Sequence, residues 1–100
     1  MANALLSIQI LPSTPGGESV IPYVDRAIDI IKASGLPYRV SPLETTIEGD
    51  MAELLAIVTE MNLAMIDKGA KSVISQIKLL YNPNDGASMD RLLEKYPDGQ

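Results

Sequence analysis

The side chains available for chemistry in this sequence are carboxylates, hydroxyls, amides and amines, because the chain contains no histidine and no cysteine. Serine–histidine and cysteine–histidine nucleophiles, thiolate zinc sites, haem-binding histidines and disulfides are therefore excluded. Glu48 is the carboxylate of interest, because it lies within a short strand-like segment. Strands disfavour glutamate, and burial of a charge is costly without a partner.

Two interpretations of Glu48 stay open at this level. The carboxylate could form a salt bridge with Lys78 or Arg39. Alternatively, it could anchor a cationic or amino-bearing small molecule. The two are compatible, since a neighbouring base can hold an anchoring carboxylate in position.

Neither a metal site nor a phosphate loop is expected. No spacing of aspartate and glutamate brings three carboxylate ligands together for a cation such as Mg²⁺. The segment 15–19, Pro-Gly-Gly-Glu-Ser, lacks the Gly-Lys-Ser/Thr ending of a phosphate loop, and Glu18 would repel an anion. We predict a turn there, and no cofactor.

The elements that must position Glu48 follow from the hydropathy periods. A period of two predicts strands, and apolar residues at i, i+3/i+4 and i+7 predict helices. Ser19 and Gly35 are placed to begin and end the first helix, and Asp50 with Glu53 forms a capping-box pattern for the second. The predicted order is a strand over 4–11, a helix over 19–34, strands over 36–43 and 45–48, a helix over 50–68, and a strand over 70–81.

The order β-α-β-β-α-β predicts the α+β ferredoxin-like fold, a four-stranded antiparallel sheet with two helices on one face. Right-handed crossovers place the first and third strands in the centre. Pro37 and Pro42 mark the second strand as an edge. We expect residues 1–81 to form one domain. Residues 82–100 would form a C-terminal tail with a short helix capped by Ser88, which either docks or frays.

The sheet face without helices is called the open face. The predicted strands place on it Leu5, Ser7, Gln9, Leu11, Arg39, Ser41, Thr46, Glu48, Ser72, Ile74, Gln76 and Lys78. A mixture of leucines with polar groups suits burial against a second subunit, and a solvated face is the alternative. Elsewhere, Asn62 falls inside the apolar arc of the second helix and needs a hydrogen-bond partner. Tyr38 is one of four aromatic residues that a flat ring could stack on.

The overall charge argues against two classes of partner. Thirteen acidic and eight basic residues give a net charge of −5, which disfavours nucleic acid and anionic membrane surfaces. No signal sequence and no membrane-spanning apolar stretch is evident, so we expect a cytoplasmic protein.

One segment resembles a known family. Residues 45–49, Thr-Thr-Ile-Glu-Gly, follow the Ser-Gly-Leu-Pro-Tyr segment at 34–38 and precede an amphipathic helix, as in the thiamine-binding protein family. The segments 10–12, 68–70 and 77–78 are similar as well, and the resemblance covers about residues 3 to 81. It implies a ferredoxin-like subunit that forms dimers and then tetramers. Such a subunit would bind thiamine or its hydroxymethylpyrimidine portion near a subunit interface, as a ligand and not as a cofactor.

The resemblance assigns ligand contacts to Thr45, Thr46 and Glu48, and we add Ser7, Gln9, Tyr38 and Asn62 as candidate ligand-binding residues. Family members often have histidine at the position of Asn62 and arginine at that of Ser72. Asn62 can still donate and accept hydrogen bonds but carries no charge.

We therefore predict a non-catalytic small-molecule binder that works as a homo-oligomer. The alternative is an oligomeric interaction or regulatory module that has no small ligand. An enzyme would need Glu48 or Lys78 as its acid or base, and the sequence offers no clear second group, so no catalytic residue is assigned.

Overall fold

The computed structural model describes residues 2–94 and has the predicted βαββαβ order. Its four strands form one antiparallel sheet in the order β2-β3-β1-β4, so the first and third strands are central, as predicted. The two long helices cover one face. This is the ferredoxin-like arrangement. The elements are β1 (Ala4–Pro12), α1 (Ile21–Ala33), β2 (Tyr38–Val40), β3 (Thr45–Gly49), α2 (Met51–Lys68), β4 (Val73–Tyr81) and α3 (Met89–Leu93).

The core lies between the sheet and the two long helices. Ala4, Leu6 and Ile8 of β1 and every second residue of β3 are buried against the helices, because successive strand side chains point to opposite faces. Full burial of such aliphatic side chains stabilises the fold by about 1.5–3 kcal/mol each. The largest fully buried side chains are Leu6, Ile31, Ile47, Leu54, Met61 and Met65.

Strand β2 is shorter than predicted, and the flanking prolines explain the difference. Pro37 and Pro42 have no N–H to donate, so the ladder to β3 is confined to the three residues Tyr38–Val40. The Pro37 carbonyl still accepts the Glu48 N–H at 2.9 Å. Residues 41–44 form a tight turn, in which the Ser41 N–H donates to the Glu44 carbonyl at 3.0 Å.

The start of α2 differs from the predicted capping box. Asp50 occupies the N-cap position, but its side chain accepts no capping hydrogen bond. The Met51 N–H instead donates to Oδ1 of Asn3 at 2.9 Å. A residue just before β1 therefore caps the second helix.

The start of α1 also moves, while its end is as predicted. The helix begins at Ile21 rather than Ser19, although the Ser19 hydroxyl accepts the Ile21 N–H at 3.2 Å. After the last turn Gly35 adopts φ +75°, the left-handed conformation that favours glycine.

Helix α3 docks on the open face instead of fraying. Before it, the Asn82 and Ala87 N–H groups donate to the carbonyls of Asn3 and Ala2, at 2.8 and 2.9 Å. The Ser88 hydroxyl accepts the Arg91 N–H at 3.4 Å, which confirms the predicted cap. The division into a domain over 1–81 and a tail over 82–100 stays a prediction, and residues 95–100 of that tail lie outside the described residues.

Candidate functional site on the open face

The motif strand β3 sends its polar residues to both faces of the sheet. Thr45, Ile47 and Gly49 are buried on the helix side, whereas Thr46 and Glu48 alternate with them and lie on the open face. A period of two makes this division unavoidable for consecutive strand residues. Consequently Thr45 and Thr46 cannot contact the same face of one small molecule.

A polar row crosses the open face at the level of Thr46. The strand register places Arg39, Thr46, Ser7 and Lys78 side by side, one from each strand. The hydroxyls of Ser7 and Thr46 lie 3.3 Å apart and share a hydrogen bond. In the next row Gln9 is opposite Gln76. Four predicted ligand residues, Ser7, Gln9, Thr46 and Glu48, thus lie on one continuous surface.

The charge in this row is balanced by Glu44, which the sequence analysis did not select. Lys78 Nζ donates to Glu44 Oε1 at 3.1 Å. The Lys78 ammonium lowers the pKa of the Glu44 carboxyl below its ordinary value of 4.5, with a smaller contribution from the Ser7 hydroxyl. Glu44 is therefore anionic at neutral pH. The sequence signal was indirect, because Glu44 lies in a turn and reaches the face only through that turn's geometry.

Glu48 lies in the row beyond Thr46, opposite Leu5. Its Oε1 accepts the Met89 N–H at 2.8 Å, so the carboxylate caps the first turn of α3. Within residues 2–94 no ion pair joins Glu48 to Lys78 or Arg39, because Lys78 is held by Glu44. The salt-bridge interpretation of Glu48 is therefore wrong, and its role as a ligand anchor stays a prediction. The second carboxylate oxygen keeps its own capacity to accept hydrogen bonds.

A pocket separates α3 from the polar row. It has a volume of about 310 Å³, and Leu5, Leu80 and Leu92 contribute apolar walls. Ser7, Thr46 and Lys78 contribute its polar side. Leu5 is only 6% exposed although it lies on the open face, which shows that the α3 segment covers this part of the sheet.

The other three predicted residues lie on the helix side. Asn62 donates from Nδ2 to the Val58 carbonyl and accepts the Ser75 hydroxyl at Oδ1, both at 2.9 Å, so its predicted need for a partner is met within the protein. Tyr38 is paired with Ile47, and its side chain shares the helix side. The sheet therefore separates these residues from Glu48.

Thr45 lines a second pocket, of about 240 Å³, on the helix side. Strand β1 continues past the end of β3 here, since its pairing with β3 stops at Ile8. The first half of α1 and the 41–44 turn close the space that β3 leaves free. The lining includes Gln9, Val24, Ile28, Val40, Glu44 and Thr45. Gln9 and Glu44 border this pocket as well as the polar row.

Among residues 2–94 no group of three or more histidine, cysteine, aspartate or glutamate side chains is placed to hold a metal ion. In the same range no helix is both long and apolar enough to cross a membrane.

Comparison with known proteins agrees with this architecture. A protein of the UPF0045 group from Clostridium perfringens is 38% identical over 96 residues, which span 96% of this chain and 99% of that protein. A Bacillus cereus structure of a domain of unknown function, DUF77, superposes with a TM-score of 0.90 at 35% identity, covering 97% of this chain and 92% of the other. A Thermotoga maritima structure superposes with a TM-score of 0.82 at 29% identity, covering 94% and 98%; that protein is proposed to act in thiamine biosynthesis or salvage.

The family model described as thiamine-binding protein matches residues 6–97, from the third residue of β1 through α3. The fold, the motif strand and this match lead to one conclusion. The chain belongs to the thiamine-binding protein family.

Proposed function

We propose that this protein binds thiamine, or a molecule with its hydroxymethylpyrimidine portion, without changing it chemically. The observation that carries the proposal is the family match over residues 6–97. The open face supports it, because the Ser7 and Thr46 hydroxyls line a pocket with leucine walls there, and the Glu48 carboxylate lies on the same face. An aminopyrimidine has donors and acceptors for such groups, and a thiazolium carries a permanent positive charge that carboxylates attract.

We place the ligand in the open-face pocket beneath Leu92. Ser7 and Thr46 offer hydroxyls at its polar side, and Glu48 offers a carboxylate at the start of α3. Gln9 extends the polar surface along β1. Thr45, Tyr38 and Asn62 stay predicted ligand residues, but a molecule in this pocket would not reach them through the sheet.

The binder would act as a homo-oligomer, a dimer of dimers with the ligand near a subunit interface. The exposed Leu11 and Ile74 support this idea, because they lie opposite each other on the uncovered part of the open face. The same exposure favours a second candidate function, an interaction module without a ligand. We further propose that the protein is cytoplasmic and not an enzyme, since no general acid–base pair is evident around Glu48.

Thermal-shift titration tests the proposal. Purified protein is titrated with thiamine, thiamine phosphates and hydroxymethylpyrimidine. Binding to the folded state alone adds about 2.7 kcal/mol of stability at a ligand concentration one hundred times Kd. Glu48→Gln should lose the shift, whereas its unfolding midpoint without ligand should stay near that of the parent, because the amide oxygen can still accept the Met89 N–H.

Glu53→Gln is the matched control, since Glu53 is an exposed carboxylate on α2. It should keep the full shift. A saturable shift that survives Glu48→Gln would contradict the assigned site while keeping the binder. Absence of a shift with all these compounds would favour the interaction module.

A further inference from the structure

Helix α3 lies over the open-face pocket, but a single side chain binds it to the sheet. Within residues 2–94, the hydrogen bond from the Met89 N–H to Glu48 Oε1, at 2.8 Å, is the one that joins α3 to a strand. The other hydrogen bonds of the segment are local, such as that from Arg91 Nη1 to the Asp85 carbonyl. A helix of five residues is too short to be stable by itself. The position of α3 therefore depends on Glu48 and on side-chain packing.

The chain just before α3 is fixed more firmly than α3 itself. The Asn82 and Ala87 N–H groups donate to backbone carbonyls of residues 2 and 3, and both Gly86 and Ala87 are buried. By contrast, no residue of α3 is buried, and Leu92, which lines the pocket, is 59% exposed. A segment with few buried apolar contacts opens locally while the rest of the fold stays intact.

Ser88 marks the boundary between the fixed segment and the loosely held helix. Its backbone is extended, at φ −146° and ψ 129°, and joins the buried Ala87 to the first residue of α3. Lids move about a few residues at the ends of elements, which absorb the change in backbone angles. Rotation about φ of Ser88 would carry its hydroxyl along with α3, so the cap on the Arg91 N–H would be kept.

The pocket beneath α3 is shared between the helix and the sheet. Its apolar walls are Leu92 of α3 and Leu5 and Leu80 of the sheet, and its volume is about 310 Å³. A molecule in this pocket would contact the sheet and α3 at the same time. It would therefore gain its contacts with Leu92 only while α3 is docked.

We propose that α3 is a hinged lid, which opens about Ser88 to admit a molecule to the open-face pocket and closes over that molecule. One Glu48 oxygen holds the closed lid, and the other is left to bind the occupant. The inference rests on the proposed function for the identity of the occupant, but not for the opening of α3. A molecule that binds the closed form better than the open form shifts the equilibrium towards the closed form.

An introduced thiol can report the opening in the full chain, because the chain has no cysteine. Leu5→Cys places the thiol beneath α3, where Leu5 is 6% exposed. Leu6→Cys is the matched control, because Leu6 is the next residue of the same strand but is buried against the two long helices. Only global unfolding exposes the control thiol. A water-soluble maleimide should therefore label Leu5→Cys at least about tenfold faster than Leu6→Cys under native conditions.

A second substitution tests whether Glu48 holds the lid. Met89→Pro, added to Leu5→Cys, removes the N–H that Glu48 accepts and should speed the labelling by a further factor of about ten, because hydrogen bonds to charged groups contribute free energies of that size. Met89→Leu keeps the N–H and should leave the rate unchanged. If Leu5→Cys labels no faster than Leu6→Cys, or if Met89→Pro has no more effect than Met89→Leu, the inference is wrong.

Hydrogen exchange of the parent protein tests whether the lid closes over a ligand. A ligand that binds only the closed form slows opening about a hundredfold at a concentration one hundred times Kd. Exchange over residues 89–93 should therefore slow as thiamine saturates the thermal shift. Exchange that stays unchanged or accelerates would overturn the closing of α3 over the ligand. If no compound gives a thermal shift, the proposed function fails, whereas the labelling rates still decide whether α3 opens as a lid.

Discussion

At the scale of single residues, the polar side chains of the open face differ in whether they already have a partner within the protein. Lys78 forms an ion pair with Glu44 and not with Glu48, and the Ser7 and Thr46 hydroxyls share a hydrogen bond. As a result Glu48 is free of cationic partners among the described residues and is held by one backbone N–H. A carboxylate in this position can exchange that N–H for a ligand donor without first breaking an ion pair.

The Glu44 carboxyl gives a prediction for pH. Because its pKa is lowered in the folded state, its contribution to stability is complete above the unfolded value of 4.5 and is lost as pH falls through the folded pKa. Lys78→Met should raise the Glu44 pKa towards 4.5, as followed by NMR titration of the carboxyl carbon. Arg39→Met is the control and should leave it unchanged. An unchanged Glu44 pKa in Lys78→Met would show that another group holds the charge.

Asn62 illustrates what sequence can predict about a residue. Its position in an apolar arc required a hydrogen-bond partner, and the structure supplies two, from Val58 and Ser75. Helical periodicity predicted that Asn62 needs a hydrogen-bond partner. It could not identify Ser75 as that partner, because Ser75 lies on β4 and contacts α2 only in the folded structure.

At the scale of elements, the order and pairing of strands were predictable, whereas the cap of α2 was not. Periodicity predicted the order of elements along the chain, and right-handed crossovers then predicted the order of strands in the sheet. The proline positions predicted the edge character of β2. The capping-box pattern at Asp50 and Glu53 indicated a local cap, but the donor is satisfied by Asn3, which is distant in sequence. Long-range partners of this kind are set by packing, and no short-range pattern reports them.

The cap of α2 is testable by a pair of substitutions. Asn3→Ala should lower the free energy of unfolding by about 1 kcal/mol, the usual cost of losing an N-cap acceptor. Asp50→Ala should cost less, because the Asp50 side chain makes no capping hydrogen bond. Urea unfolding of both variants measures the difference. If Asp50→Ala lowers the free energy of unfolding more than Asn3→Ala does, Asp50 caps α2 after all and the local capping box is correct.

The hydrogen bond from the Met89 N–H to Glu48, which anchors α3, can be tested by removing that N–H. Met89→Pro removes the N–H but suits the first helical position, and the preceding Ser88 is already extended, at φ −146° and ψ 129°. We expect α3 to loosen, since hydrogen bonds to charged groups contribute about 1.5–3 kcal/mol. Hydrogen exchange over residues 86–93 should then accelerate.

Met89→Leu keeps the N–H and should retain the protection of the parent. If Met89→Pro exchanges as slowly as Met89→Leu, then the packing of Leu92 and the Ala87 hydrogen bond hold α3 without Glu48.

At the scale of the whole molecule, a net charge of −5 works against self-association, while the exposed Leu11 and Ile74 on the open face favour it. Added salt screens the repulsion between acidic copies and should strengthen the proposed homo-oligomer. The Tm should also rise with protein concentration, because association stabilises the folded chain. Differential scanning calorimetry over a hundredfold concentration range measures this.

Leu11→Lys is the variant for this prediction, because charged residues are disfavoured at the centre of a subunit interface. Its Tm should be lower and independent of concentration. A Tm of the parent that does not change with concentration or salt would argue that the chain works as a monomer.

The pairing of β1 with β4 also bears on how the chain reaches its fold. Strand β1 is synthesised early and occupies the centre of the sheet, yet the strand that pairs with all nine of its residues, β4, is the last strand of the sheet. Such non-local pairing slows folding, because the chain loses the entropy of closing a long loop before the strands form stabilising contacts. During translation, the backbone groups of β1 that pair with β4 therefore stay unpaired until β4 has been synthesised. A chaperone that shields β1 would have most effect before residue 73 emerges from the ribosome.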